Sequence, residues 1–279
     1  MPLIAPEGVN SLRSTSVHRL AQFIIASLLL TVFGVVNNQI SVATAATVIY
    51  ADSATGSDTS GNGTAGNPFE TFHKAYTSAS SGDTIDLTGT FTWTNSGETG
   101  DASPAGYALS KNLTIRGQSR STVIQAASSR NTADRSIFFV NANTTIAFED
   151  LTLRHGRPTS GTHGGALSLH GQYCGNYPCV SITGSASLTR VDVVDNNNSS
   201  AGAGAIVQNE ASTLSLMDVN IQNNVCACTW GAGAIAGTAQ SEYMSITNST
   251  ISGNSITNGA SSAGAITTQR FAQILIQNT

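Results

Sequence analysis

In the second half of the chain, short runs of alternating apolar and polar residues return at a near-constant interval. FEDLTLRHG begins at Phe148, LTRVDVVDN at Leu188, LMDVNIQNN at Leu216 and ITNSTISGN at Ile246, so successive starts lie 40, 28 and 30 residues apart. Within these runs the apolar positions have a period of two. Leu151 and Leu153 enclose Thr152, Val191 and Val193 enclose Asp192, and Val219 and Ile221 enclose Asn220. Successive side chains on a strand point to opposite faces, so this alternation predicts strands. Helical repeats of similar length need apolar residues at i, i+3, i+4 and i+7, and that pattern is missing. The L-x-x-L-x-L frame of leucine-rich repeats is missing too. After each run comes a small-residue segment: GGALSL from Gly164, GAGAIV from Gly202, GAGAIAG from Gly231 and SAGAITT from Ser262. No such unit can bury its apolar face alone. The chain is therefore expected to be all-β, a solenoid of stacked coils with two or three short strands per coil.

Stacking makes specific predictions. Val191, Val219 and Ser249 should share one column, and Val193, Ile221 and Ile251 the next. Asn196, Asn224 and Asn254 close successive runs and should form a ladder of side-chain amides at a turn, each satisfying the next. Asn also tolerates the left-handed backbone that tight corners require. Gly204, Gly233 and Gly264 should turn the corner into Ala205-Ile206, Ala234-Ile235 and Ala265-Ile266, with Ala and Ile alternating out of and into the core. GAGAI is not a dinucleotide fingerprint, because no helical pattern follows it.

GGALSL, DVNIQNN and ITNSTISGNSITNGASSAGAI (residues 246–266) resemble the repeats of right-handed parallel β-helix proteins. Among those, they are similar to bacterial surface proteins with polymorphic-outer-membrane-protein-type repeats. Upstream, VIYADSATGSD and GNPFETFHKAYTSASSGDTIDL resemble the N-terminal segment that caps many pectin-lyase-like β-helices, and KNLTIRGQSRSTVIQA (residues 111–126) resembles their first full coils. Together the resemblances cover most of residues 47–279. They imply the fold strongly and an activity weakly.

The expected organisation is a signal peptide over residues 1–45, a cap with first strands over 46–110, and β-helix coils over 111–279. Within the cap, residues 68–80 should form a short helix, because Phe69, Phe72 and Tyr76 fall on one side. Such a helix would cover the end of the core and block edge pairing. Further strands are expected near 84–87, 113–115, 123–125, 137–140 and 145–148, with loops 94–106 and 127–135 beside a groove. Ile276-Gln277-Asn278-Thr279 matches Ile246-Thr247-Asn248-Ser249, so the chain is expected to stop inside a repeat, its natural form carrying more coils.

Composition refines the picture. Only 10% of residues are charged and 27 are Gly, which would suit a disordered chain, but the 40% apolar content is periodic and argues for a packed core. The net charge of −4 becomes about −5 once the first 45 residues, with Arg13, Arg19 and Glu7, are removed. The lack of a basic stripe counts against nucleic-acid binding as a main role, and no nucleic-acid partner is expected. Arg13, His18 and Arg19 precede an apolar run over residues 20–36, and Ala43-Thr44-Ala45 fits a signal-peptidase site. The run is short for a membrane span. A cleaved, secreted or cell-surface protein with no transmembrane span in its mature part is expected.

The four cysteines suit export. Cys174 and Cys179 bracket GNYP and are expected to pair across a loop, which also accounts for the 40-residue spacing. Cys226 and Cys228 are expected to bridge poorly, being two apart on a strand. No zinc pattern joins His155, His163 and His170, and no metal site is assigned.

One set of residues carries candidate chemistry. Asp150, Arg190 and Asp218 each occupy the third position of successive runs and should align on one exposed face as an acid–base–acid column. Such a column is a surface ion ladder or a weak sugar or ion site. No catalytic residue is assigned, and His155 reads as a solvent-facing turn histidine. Two functional classes remain. The favoured one is a non-catalytic exported scaffold, adhesin-like or a passenger, that meets carbohydrate or another cell-surface ligand. The alternative is a polysaccharide lyase or glycoside hydrolase, the only case in which Ca²⁺ enters as a cofactor.

Overall fold

The computed structural model describes residues 45–98, 104–170, 184–209, 211–238, 243–258, 261–268 and 273–279. Residues 1–44, where a signal peptide is expected, and the Cys174–Cys179 loop lie outside the described residues. Strands stack in parallel and in register, and their order across each of the three largest sheets follows their order along the chain. The long sheet has eight strands: Val48–Asp52, Thr84–Thr88, Leu113–Gly117, Thr145–Glu149, Ser185–Thr189, Thr213–Met217, Tyr243–Thr247 and Gln273–Gln277. A second sheet of six runs from Thr90–Thr92 through Thr152–Arg154, Asp192–Val194 and Asn220–Gln222 to Thr250–Ser252. A third sheet of six runs from Tyr107–Leu109 to Ile266–Thr268. A sheet of four strands starts at Thr162–Gly164 and one of three at Asn197–Asn198, and these complete the later coils. The architecture is the expected parallel β-solenoid, but a full coil holds five short strands rather than two or three. Asn197–Asn198 and Ala201–Ala203, for example, are separate strands, too short to show an alternating pattern.

The period-two pattern decides which side chains enter the core. In the long sheet Ile85, Ile115, Phe148, Leu188, Leu216 and Ile246 face one another down a column and are all buried. Each such aliphatic side chain contributes about 1.5–3 kcal/mol on leaving water. The second sheet adds the predicted column Val193, Ile221 and Ile251. Just before it, Val219 N donates to Ser249 Oγ at 3.1 Å.

The small residues make stacking possible. A Cβ on Gly165, Gly204 or Gly233 would overlap the carbonyl oxygen of the next glycine in the column. The bend at Gly204-Ala205 swings the chain so that Ala205 and Ile206 both enter the main core, and likewise Ala234 and Ile235. The expected in-and-out alternation begins one residue later. Val207 and Ala236 face the other way and pack with Ala203 and Ala232 as a small second core.

The cap differs in one detail. The helix spans Phe72–Ser78, four residues shorter at its start than expected. Phe69 is extended, because its N donates to Tyr50 O at 3.0 Å and its carbonyl accepts from Asp52 N at 2.8 Å. Thr71 is the N-cap, its side chain accepting from Lys74 N. Phe69, Phe72 and Tyr76 are nonetheless all buried as expected. Phe72 sits 5.1–5.5 Å from the rings of Trp93, Tyr107 and Phe138, in edge and tilted contacts that fill the first coils. Lys111 Nζ donates to the carbonyls of Tyr76 and Ala79 at the helix's other end.

The expectation for Cys226 and Cys228 is corrected: they form a disulfide. The strand Val225–Cys226 ends between them, and the bend that follows brings their Cα atoms to 5.1 Å with both side chains turned inward. An uninterrupted strand would hold them farther apart.

Candidate functional site

After each of the four long-sheet strands from Thr145–Glu149 to Tyr243–Thr247, the chain turns within two residues into the second-sheet strand that follows. The first of the two takes a left-handed backbone: Asp150 at φ 52°, Arg190 at 54°, Asp218 at 56°, Asn248 at 51°. Asp and Asn adopt this conformation readily. Arg190 does not, and its side chain is held by a bidentate pair, Nε to Asp150 Oδ1 at 2.6 Å and Nη2 to Oδ2 at 2.7 Å. The three predicted residues thus stack at one corner, as their shared third position implies.

A fourth residue joins them from outside the repeat. The loop after Leu113–Gly117 folds across three rungs and places Arg120 over the corner. Its Nη2 donates to the Asp218 carbonyl at 2.6 Å and to Asp218 Oδ1 at 3.2 Å, and its Nε lies 3.5 Å from Asp192 Oδ1. Gln118 to Ser121, Asp150, Arg190 and Asp218 enclose an open depression of about 390 Å³. Ser119 and Ser121 share a hydroxyl hydrogen bond of 2.7 Å at its rim. Two guanidinium groups face two carboxylates in the depression. The hydrogen bonds from Arg190 hold the Asp150 carboxyl below its ordinary range, outweighing the effect of burial.

At the opposite edge of the second sheet lies a parallel corner, with left-handed His155, Asp195 and Asn223. His155 is indeed a turn residue, but half-buried, with Nδ1 3.2 Å from Ala127 O. Burial lowers its pKa. Loop 127–135, expected beside a groove, instead lies over this corner. Arg130 Nη2 donates to Asn223 O at 2.6 Å, and Nη1 lies 3.5 Å from Asp195 Oδ1.

The predicted amide ladder follows immediately. Asn196 N and Nδ2 donate to Asn224 Oδ1, both at 3.0 Å, and Asn224 N and Nδ2 donate to Asn254 Oδ1 at 3.0 and 2.9 Å. His163 and His170 lie against Phe139 on the third sheet, their rings 6.4 Å apart. Among the described residues no three His, Cys, Asp or Glu side chains converge as a metal site.

No protein-family model, curated protein or solved structure matches this chain. Arg120 and Arg130 escape a sequence reading because their loops carry no repeat. The one available signal is an arginine, Arg120 or Arg130, in each of two polar loops flanked by strands.

Proposed function

We propose that the chain is an exported, non-catalytic β-helix, a surface scaffold that presents the sides of its stacked coils to carbohydrate or another cell-surface ligand. The observation that carries this reading is the condition of the acids at the corner. Both oxygens of Asp150 are engaged by one guanidinium, which favours its ionised form. A general acid at neutral pH needs the opposite shift. Asp218 belongs to the same polar surface, its Oδ1 accepting from Arg120 Nη2 at 3.2 Å. The apolar segment ahead of Ala43-Thr44-Ala45 supports export.

The test has two arms. The full chain is expressed in a secreting host and located by fractionation and by protease accessibility on intact cells. The purified protein is then incubated with neutral and acidic polysaccharides, and new reducing ends and unsaturated products are measured. The expected result is an extracytoplasmic protein that releases no product. Product release that disappears in Asp150→Asn or Asp218→Asn would instead establish the lyase or hydrolase alternative.

A further inference from the structure

We infer that the depression at the first corner is a subsite for one neutral sugar unit of a glycan lying along the solenoid axis. This inference rests on the exported-scaffold reading and adds the chemistry of its ligand.

The argument starts from charge. Arg190 is matched by Asp150 and Arg120 by Asp218, so the lining is neutral as a whole. An anion entering would find each guanidinium already paired, and a cation would find each carboxylate paired. Neither would regain what it loses on leaving water. Free hydrogen-bonding capacity is nevertheless present on both sides. Among the described residues, Arg120 Nη1, Arg190 Nη1 and Asp218 Oδ2 have no hydrogen-bond partner. Ser119 and Ser121 add hydroxyls, and the side chain of Asp218 is 58% exposed.

Donors and acceptors therefore alternate around a neutral floor. Adjacent hydroxyls of a sugar ring suit that pattern, because each can donate to a carboxylate while accepting from a guanidinium. The depression is at the small end of ligand sites, sized for one unit rather than a chain. The same corner continues beyond it. Asn248 follows Asp218 in the column, and Asn278 Nδ2 donates to Asn248 Oδ1 at 3.2 Å. A glycan running down the axis would leave the charged subsite and meet amides on later rungs. With no aromatic ring in the lining, one unit should bind only in the millimolar range.

The test uses the full chain with cello-, xylo-, manno- and galacto-tetraose as neutral probes and tetragalacturonate as the acidic one. Saturation-transfer NMR and calorimetry are run at low and at high NaCl. Binding of at least one neutral tetraose, unchanged by salt, is expected. Arg190→Ala should weaken it tenfold or more, and Arg130→Ala, at the other corner, should leave it within twofold. Three results would overturn the inference: no neutral tetraose binding at tens of millimolar, a preference for tetragalacturonate that fades with salt, or an Arg190→Ala protein that binds normally. If Arg190→Ala does not fold, Ser121→Ala with the same readout decides. Localisation reports separately on the scaffold. An exported protein that ignores sugars sinks this inference alone, while a cytoplasmic one sinks the scaffold reading.

Discussion

Replacing Asn224 by alanine should destabilise the protein by about 4–6 kcal/mol, and the figure follows from the bonds that the side chain makes. Asn224 is fully buried. Its Oδ1 accepts from Asn196 N and Nδ2, and its Nδ2 donates to Val193 O at 2.8 Å and to Asn254 Oδ1 at 2.9 Å. Alanine removes all four bonds. Asn196 Nδ2 keeps the carbonyls of Leu153 and Val194, and Asn254 Oδ1 keeps Asn224 N. Asn196 N loses the acceptor it has, and an orphaned buried N–H costs about 1–3 kcal/mol, with roughly 1 kcal/mol for each further bond lost. Aspartate should be at least as costly, because a carboxylate oxygen would then face Val193 O and Asn254 Oδ1 where an amide N–H now points. Asn254 is only half-buried, so Asn254→Ala should cost less, about 1–2 kcal/mol. Urea denaturation followed by far-UV circular dichroism gives the three values. If Asn224→Ala falls within about 0.5 kcal/mol of wild type, a scale set by neutral surface changes, the ladder is ornament and the reasoning fails.

Other expectations concern different parts of the molecule. Gly204→Ala should cost about 3 kcal/mol or more, since its Cβ would meet Gly233 O and Val225 N, while Gly66→Ala, with open space around it, should be near neutral by the same denaturation assay. Burial lifts the Glu98 carboxyl from 4.5 to about 7, although Phe72 N and His73 N donate to it. The folded state then holds a proton that the unfolded state has released between pH 4.5 and 7. Stability should fall across that window by up to about 3 kcal/mol and level off above it. Glu98→Gln should remove this slope, and superimposable pH–stability curves for the two proteins would contradict the assignment. The Cys226–Cys228 bond closes a very short loop. Its removal by double alanine substitution should cost only about 1–2 kcal/mol in melts, against about 3 kcal/mol for a fifteen-residue loop.

The residues that proved legible in advance are those that obey the repeat. Val193, Ile221 and Ile251 announce a shared column through their spacing, and Asn196, Asn224 and Asn254 announce a ladder. Asp150, Arg190 and Asp218 meet because position three of each run is the same left-handed corner. What escaped depends on interactions without periodicity. Arg120 and Arg130 reach carbonyls nearly a hundred residues away, and nothing local predicts that. The helix begins at Phe72 rather than at residue 68 because Phe69 is drawn into pairing with the first strand, a tertiary contact that overrides an amphipathic pattern. The Cys226–Cys228 bond depends on the strand ending at Cys226, before the second cysteine.

In the long sheet each strand bonds only to the rungs immediately before and after it. The length of the rod is therefore an adjustable quantity. Copying or excising one rung rejoins two surfaces of the same shape, so tandem duplication within the gene can lengthen the protein without redesigning any interior. Arg120 limits that freedom. Its guanidinium spans from the rung of Leu113–Gly117 to the turn after Thr213–Met217, a distance that tolerates no extra rung between them. Growth and shrinkage should be confined to the coils beyond Asn223, leaving the earlier stretch at constant length.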